Sequence, residues 1–121
     1  MKKTVIIGAT TNPSRYAYIA AGMLKEYDHE IVPVGIKKGT VYGIDILPID
    51  QHPIIKDANT ITLYIGTKHQ PMYYEYLLSL KPKRIIFNPG TENSEFEKMV
   101  EESGAEALQA CTLVLLRSGQ Y

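Results

Sequence analysis

Short apolar runs rich in β-branched residues alternate along this chain with segments whose apolar side chains recur at helical spacing. Thr4–Ile7 is the first such run, and apolar residues from Ile19 to Tyr27 follow it at intervals of three and four. Parallel strands joined by helices are connected by right-handed crossovers, which place helices on both faces of the sheet. The alternation therefore predicts an α/β fold of three layers.

The same pattern extends over the whole chain and predicts one domain, residues 1–121. No linker rich in Gly, Ser or Pro interrupts it, and residues 40–59 are predicted to be irregular with one small strand or turn of helix. Helices are predicted to begin at Asn12-Pro13, near Gln70 and at Ser94. The five predicted strands form a parallel sheet in the order 3-2-1-4-5, and in chain order they are residues 4–7, 30–34, 60–65, 83–87 and 105–109.

The composition excludes several classes of protein. With 45% hydrophobic and 21% charged residues the chain can form a buried core, and its 13 Lys and Arg balance its 13 Asp and Glu without a charged block. We therefore expect no nucleic-acid partner. The longest apolar stretch, residues 110–116, is far shorter than the roughly 18 to 20 residues that span a bilayer, so we expect no membrane association and a cytoplasmic location. Cys111, the single cysteine, excludes an internal disulfide.

Two turn-rich loops follow the first and fourth predicted strands, Gly8–Pro13 and Asn88–Asn93. Ligands of open parallel sheets bind beyond the carboxyl ends of the strands, where the strand order reverses, so we expect these loops to face each other across a cleft. A helix that begins at Asn12-Pro13 would direct free N–H groups at an anion there, and Arg15 would add a cation. The alternative is that the first loop merely caps the helix and Arg15 is solvated.

The end of the second predicted strand carries two lysines, Lys37 and Lys38, where a site for NAD would place an acidic residue. Lysines at this position suit a phosphate on the ribose of an adenosine. NADP carries such a phosphate at the 2′ position and coenzyme A carries one at the 3′ position. A plain solvated turn is the alternative interpretation.

No catalytic or metal site is predicted from the remaining polar residues. Cys111 has no partner in any local signature, and His29, His52 and His69 lack the spacing of metal ligands. Glu92 is a candidate general base, but a Glu in this position also suits the first turn of a helix.

The chain resembles the small stand-alone coenzyme A-binding domain proteins of bacteria in four segments, which are Gly8–Tyr16, the strand Ile31–Val34, Ile86–Asn93 and Ala110–Thr112. These proteins are Rossmann-like domains similar to the N-terminal domain of the succinyl-CoA synthetase alpha subunit. The resemblance covers nearly the whole chain, and its most specific part is the G-A-x-x-N-P-x-R element at residues 8–15. It implies that coenzyme A or an acyl-CoA binds at the carboxyl ends of the strands, without an evident catalytic apparatus.

Residue by residue, the resemblance implies that the first loop holds the pyrophosphate, that Lys37 or Lys38 meets the ribose phosphate, and that the loop after the fourth strand lines the cleft. An NADP-binding reductase or sensor and a ligand-free interaction domain are the alternatives. The residues expected to bind the cofactor are Gly8, Ala9, Thr10, Thr11, Asn12, Pro13, Arg15, Tyr16, Gly35, Lys37, Lys38, Asn88, Pro89, Gly90 and Thr91.

Overall fold

A parallel sheet of six strands forms the middle layer of the computed structural model, which describes residues 1–121. Two further strands, β3 and β4, pair with each other in an antiparallel ladder outside the sheet. In chain order the strands are β1 (Thr4–Ile7), β2 (Ile31–Gly35), β3 (Thr40–Val41), β4 (Ile44–Asp45), β5 (Leu47–Pro48), β6 (Thr60–Leu63), β7 (Arg84–Phe87) and β8 (Glu106–Gln109).

The spatial order of the sheet is β5-β2-β1-β6-β7-β8. The predicted Rossmann-like α/β class is confirmed, but the prediction of five strands in the order 3-2-1-4-5 is wrong. The predicted third strand, β6, pairs with β1, so that Thr4 lies opposite Thr60. The edge beyond β2 is occupied instead by β5, which pairs through two residues only. Pro48 is compatible with this strand because an edge strand need not donate on both sides.

Four α-helices cover the sheet, and the chain also forms three short 3₁₀ turns, at Ile49–Gln51, Thr67–His69 and Pro71–Tyr73. None of the helices is long and apolar enough to cross a membrane. The second helix begins later than predicted because two 3₁₀ turns precede it, and the fourth was not predicted. The helices are α1 (Tyr16–Glu26), α2 (Tyr74–Ser79), α3 (Ser94–Glu102) and α4 (Thr112–Arg117).

The core lies in two parts, one on each face of the sheet, because neighbouring side chains of a strand point to opposite faces. Val5 and Ile7 pack with buried side chains of α2 and α3, while Ile6 packs with α1 and α4. All three side chains are fully buried. Ala17 and Ala21 are the small residues through which α1 lies close on its face of the sheet. The carboxyl ends of the central strands are thereby held between the two helical layers.

Candidate functional site

A cleft of about 900 Å³ opens at the carboxyl ends of β1, β2, β6 and β7. The loops that follow these strands line it, together with the start of α1 and the 3₁₀ turn Ile49–Gln51. Of the residues predicted to bind a cofactor, all except Pro13 and Asn88 line this one cleft. The first loop, the lysine pair and the loop after β7 therefore line one cleft, and that they bind a cofactor stays a prediction.

One part of the cleft, here termed the cationic half, is formed by residues 8–12, 15–17 and 35–38. It contains three basic side chains, Arg15, Lys37 and Lys38, all of them exposed. None of the three forms an ion pair, since the one salt bridge of the molecule joins Lys3 to Glu30 at 3.9 Å. The positive charge of this half is therefore free to meet a ligand.

Two glycines allow the ends of β1, β2 and β6 to approach closely and form the floor of the cleft. A Cβ on Gly35 would lie 2.5 Å from the carbonyl oxygen of Ala9, a distance that no packed atom tolerates. Gly8 has a φ of +98°, and a Cβ there would lie 3.0 Å from the backbone carbonyl of Tyr64. The N–H groups of Gly8 and Ala9 both donate to Val34 O, at 2.9 and 3.0 Å.

Helix α1 begins at Tyr16 rather than at the predicted Pro13. Asn12 does not cap the helix: its Oδ1 accepts hydrogen bonds from the backbone N–H of Ser14 at 3.0 Å and from the Ser14 hydroxyl at 2.8 Å, which closes a local turn. Arg15 occupies the cap position and its side chain makes no capping bond. The N–H groups of Tyr16 and Ala17 have no acceptor within the protein, so the helix start offers two free donors at the cleft.

The other part of the cleft, here termed the far half, was largely missed from sequence. The predicted strand order placed residues 60–65 at the edge of the sheet, away from the cleft, whereas β6 lies beside β1. The sequence feature that could have indicated this half is Gly66, a turn glycine directly after the predicted strand 60–65. No Lys or Arg lines the far half. It consists of Tyr64, Ile65, Gly66, His69, Met72, Tyr73, Pro89, Gly90 and Thr91.

The buried side chain of Gln70 joins the two loops of the far half. Its Nε2 donates to Ile65 O at 3.0 Å and to Thr91 O at 2.9 Å, and its Oε1 accepts from Asn93 Nδ2 at 2.9 Å. Gln70 is fully buried, so these bonds are shielded from competition by water. The amide therefore fixes the loop after β6 against the loop after β7.

Asn88 and Pro13, the two predicted residues outside the cleft, lie elsewhere for different reasons. Asn88 is buried, and its Nδ2 donates to Thr62 Oγ1 at 2.7 Å and to Leu63 O at 2.9 Å. Its Oδ1 accepts from the backbone N–H of Thr112 at 2.9 Å. The Asn88 amide thus ties β6, β7 and α4 together and does not line the cleft. Pro13 is exposed on the turn before α1.

Two phenols of the far half stay protonated well above neutral pH. Burial raises the pKa of Tyr64 to about 12, although hydrogen bonds to Thr62 and Thr112 oppose the shift. Burial also raises the pKa of Tyr73, and its hydrogen bond to Asp50, at 3.0 Å from Oη to Oδ1, acts in the same direction. Asp50 itself lines the cleft beside Tyr73.

The remaining candidates from the sequence are dispersed. Of the three histidines only His69 lines the cleft. His52 stacks on the ring of Tyr76, with the ring centroids 4.9 Å apart. His29 accepts a hydrogen bond from the backbone N–H of Lys2, just before β1. Cys111 is half-buried at the residue before α4.

Comparison with known proteins places these features in a family. A family model described as CoA binding domain matches residues 2–117, whereas no curated protein matches the chain. A crystal structure of an uncharacterized protein is 52% identical and superimposes with a TM-score of 0.97, covering 100% of this chain and 98% of the other. A structure named cell-free ID.343 from Thermus thermophilus is 20% identical, with a TM-score of 0.84 and coverage of 99% and 90%.

A dinucleotide-forming acetyl-coenzyme A synthetase 1 from Ca. Korarchaeum cryptofilum, solved in complex with phosphate and ADP, contains a similar domain. It is 14% identical with a TM-score of 0.72, and the match covers 89% of this chain but 25% of the synthetase. The two likenesses at or below 20% identity show the fold alone.

Proposed function

Because the chain belongs to the CoA binding domain family, we propose that it binds coenzyme A or an acyl-CoA in the cleft at the carboxyl ends of its strands. The observation that supports this most directly is the gathering of Arg15, Lys37 and Lys38 with the start of α1 at one cleft, in a chain whose net charge is zero. Coenzyme A carries its phosphates at one end and an uncharged pantetheine arm at the other. A cleft with a cationic half and a half without Lys or Arg has the same division of charge.

The phosphate on the adenosine ribose is assigned to Lys37 or Lys38. Both lysines lie in the turn after β2, exposed and without an ion-pair partner, so that neither must break an existing contact to meet an anion. A lysine ammonium acts as a point charge on a flexible stem, which suits a terminal phosphate with several accessible oxygens.

The pyrophosphate is assigned to the start of α1. The free N–H groups of Tyr16 and Ala17 and the positive end of the helix dipole favour an anion there. The Arg15 guanidinium, at the cap position of the same helix, is able to donate two parallel hydrogen bonds to phosphate oxygens. Gly8 and Gly35 let the backbone approach this position without interference from side chains.

The proposal includes binding and no reaction. A ligand-free interaction domain would be favoured by a cleft filled with Tyr16 or Arg15, but Tyr16 is 70% exposed and Arg15 is exposed as well. An NADP site would use the same two lysines, and a panel of ligands distinguishes it.

The test is thermal unfolding of ligand-free protein with coenzyme A, dephospho-CoA or NADP. A ligand at about one hundred times its Kd adds roughly 2.7 kcal/mol to the stability of the native state. We expect coenzyme A to stabilise more than dephospho-CoA, which lacks the 3′-phosphate, and we expect the double variant Lys37→Ala, Lys38→Ala to abolish the difference. The variant Lys56→Ala, Lys98→Ala removes the same charge at exposed positions outside the cleft and is the matched control.

Three outcomes contradict parts of the proposal. No stabilisation by millimolar coenzyme A would exclude the proposed function. Equal stabilisation by coenzyme A and dephospho-CoA would refute the role of the lysines. Stronger stabilisation by NADP than by coenzyme A would identify a dinucleotide site instead.

A further inference from the structure

The polarity of the cleft determines where the reactive end of a bound coenzyme A lies. In coenzyme A the pyrophosphate stands between the phosphorylated adenosine and the pantetheine arm, which ends in the thiol or thioester. With the phosphates in the cationic half, as the proposed function has it, the arm extends toward the far half. An acyl group on the thiol would therefore meet the residues that follow β6 and β7.

The lining of the far half offers little to pair with a negative charge. Ile65, Met72 and Pro89 are apolar, and His69 is the one side chain of this half that can carry a positive charge. Lys68 belongs to the same 3₁₀ turn as His69 but does not line the cleft. A carboxylate that moves from water into this half of the cleft loses hydration without gaining an ion pair with a lysine or arginine.

In the loop after β7, the two N–H groups of the far half both donate to atoms of the protein. The N–H of Gly90 donates to Glu92 Oε1 at 2.9 Å, and the N–H of Thr91 donates to Asn88 O at 2.9 Å. The Thr91 hydroxyl also donates to Asn88 O, at 2.8 Å, and Pro89 has no N–H. A carboxylate accepts hydrogen bonds only, so Pro89, Gly90 and Thr91 would hold it poorly.

Two carboxylates of the protein adjoin the same half. Asp50 is held by the hydroxyl of Tyr73 at 3.0 Å, and Glu92 is held at the N–H of Gly90. A third carboxylate on the ligand would be repelled by these two charges. The far half thus opposes an anionic acyl group by its like charges and by its lack of lysine and arginine.

From this we infer that the cleft selects free coenzyme A and acyl-CoA with an uncharged acyl group, and that it discriminates against acyl groups that end in a carboxylate. Specificity here arises from unpaired charge on the wrong ligand rather than from a contact with the right one. The inference rests on the proposed function, because it requires that the phosphates occupy the cationic half.

The test is calorimetric titration of ligand-free protein with coenzyme A, butyryl-CoA and succinyl-CoA. The two thioesters have acyl chains of equal length, and only succinyl-CoA carries a terminal carboxylate. We expect butyryl-CoA to bind within a few fold of coenzyme A and succinyl-CoA to bind at least about tenfold more weakly than butyryl-CoA, a difference of roughly 1.4 kcal/mol.

A charge-introducing variant locates the discrimination. Met72 is 67% exposed, so Met72→Lys adds a cation to the far half without disturbing the core. It is expected to strengthen succinyl-CoA binding severalfold and to leave butyryl-CoA within twofold. Ile54→Lys, at a side chain 89% exposed and outside the cleft, adds the same charge and is expected to change neither affinity.

The outcomes separate this inference from the proposed function. If none of the three ligands binds, both are overturned. If coenzyme A binds and succinyl-CoA binds as tightly as butyryl-CoA, only the inference is overturned. If that tight succinyl-CoA binding is lost in His69→Gln, the imidazole holds the carboxylate and the inference is wrong for that reason.

Discussion

Replacing Gly8 by alanine tests the close packing on which the cleft floor depends. Gly8 has a φ of +98°, which alone costs an L-residue roughly 1 to 2 kcal/mol. The added Cβ would also lie 3.0 Å from the backbone carbonyl of Tyr64 and 3.2 Å from the Cγ2 of Ile65. Forcing β1 and β6 apart at this point adds a cost of about 1 to 3 kcal/mol, typical of overpacking.

Gly104→Ala is the matched control for Gly8→Ala. Gly104 has a φ of +95°, nearly the same as Gly8, but no atom lies within 4 Å of the position that its Cβ would occupy. It follows α3 and does not line the cleft. Gly104→Ala should therefore show the conformational cost alone, and the difference between the two variants measures the contact.

Equilibrium unfolding in urea gives the free energy of unfolding of both variants and of the parent protein. We expect Gly8→Ala to be less stable than Gly104→Ala by about 1 to 3 kcal/mol and to bind coenzyme A more weakly, whereas Gly104→Ala keeps the parent affinity. Equal destabilisation of the two variants, with unchanged binding in both, would refute the packing argument for the cleft floor.

Three further predictions concern polar side chains that are buried or half-buried. Gln70→Met should lower the free energy of unfolding by about 1 to 3 kcal/mol, because it leaves the carbonyl groups of Ile65 and Thr91 without their donor. It should weaken the binding of coenzyme A more than that of adenosine 3′,5′-bisphosphate, which lacks the pantetheine arm. Equal losses of affinity for the two ligands in titration calorimetry would contradict this. Burial lowers the pKa of His29, whose Nδ1 accepts a hydrogen bond from the backbone N–H of Lys2 at 2.9 Å. The contribution of this imidazole to the free energy of unfolding should therefore be complete above pH 6.5 and should be lost as the pH falls below it. We expect the free energy of unfolding of His29→Gln to fall less steeply over this range than that of the parent protein. Because the pKa of Tyr64 is raised from 10.0 to about 12, the free energy of unfolding should fall as the pH rises from 10 to 12, and a fall of equal size in Tyr64→Phe would contradict this assignment.

The local pattern of the sequence was sufficient for the fold class and for most of the cationic half. β1, β2, β6 and β7 are runs of mostly buried residues whose apolar and β-branched composition predicts a strand. The loop Gly8–Pro13 and the lysine pair come directly after two of them in the chain. These features depend on residues adjacent in the chain. They could therefore be predicted without knowledge of the tertiary structure.

The strand order and the far half depended on contacts that no local pattern contains. β5 is only two residues long, and it was hidden among the prolines of residues 40–59, so β6 was given the edge position that β5 occupies. That error removed the loop after β6 from the predicted cleft. Asn88 was predicted to line the cleft because of its loop, but the direction of its side chain is set by partners 24 to 26 residues distant, among them Thr62 and Thr112. The cytoplasmic location and the lack of a reaction stay predictions.

A crystal structure of the protein grown with coenzyme A tests the proposed site most directly. We predict the 3′-phosphate within about 4 Å of the Lys37 or Lys38 ammonium, the distance of an ion pair. The pyrophosphate should lie at the N–H groups of Tyr16 and Ala17, and the thiol in the far half. Coenzyme A bound elsewhere on the molecule, or bound in the cleft with its thiol beside the two lysines, would contradict the assignment.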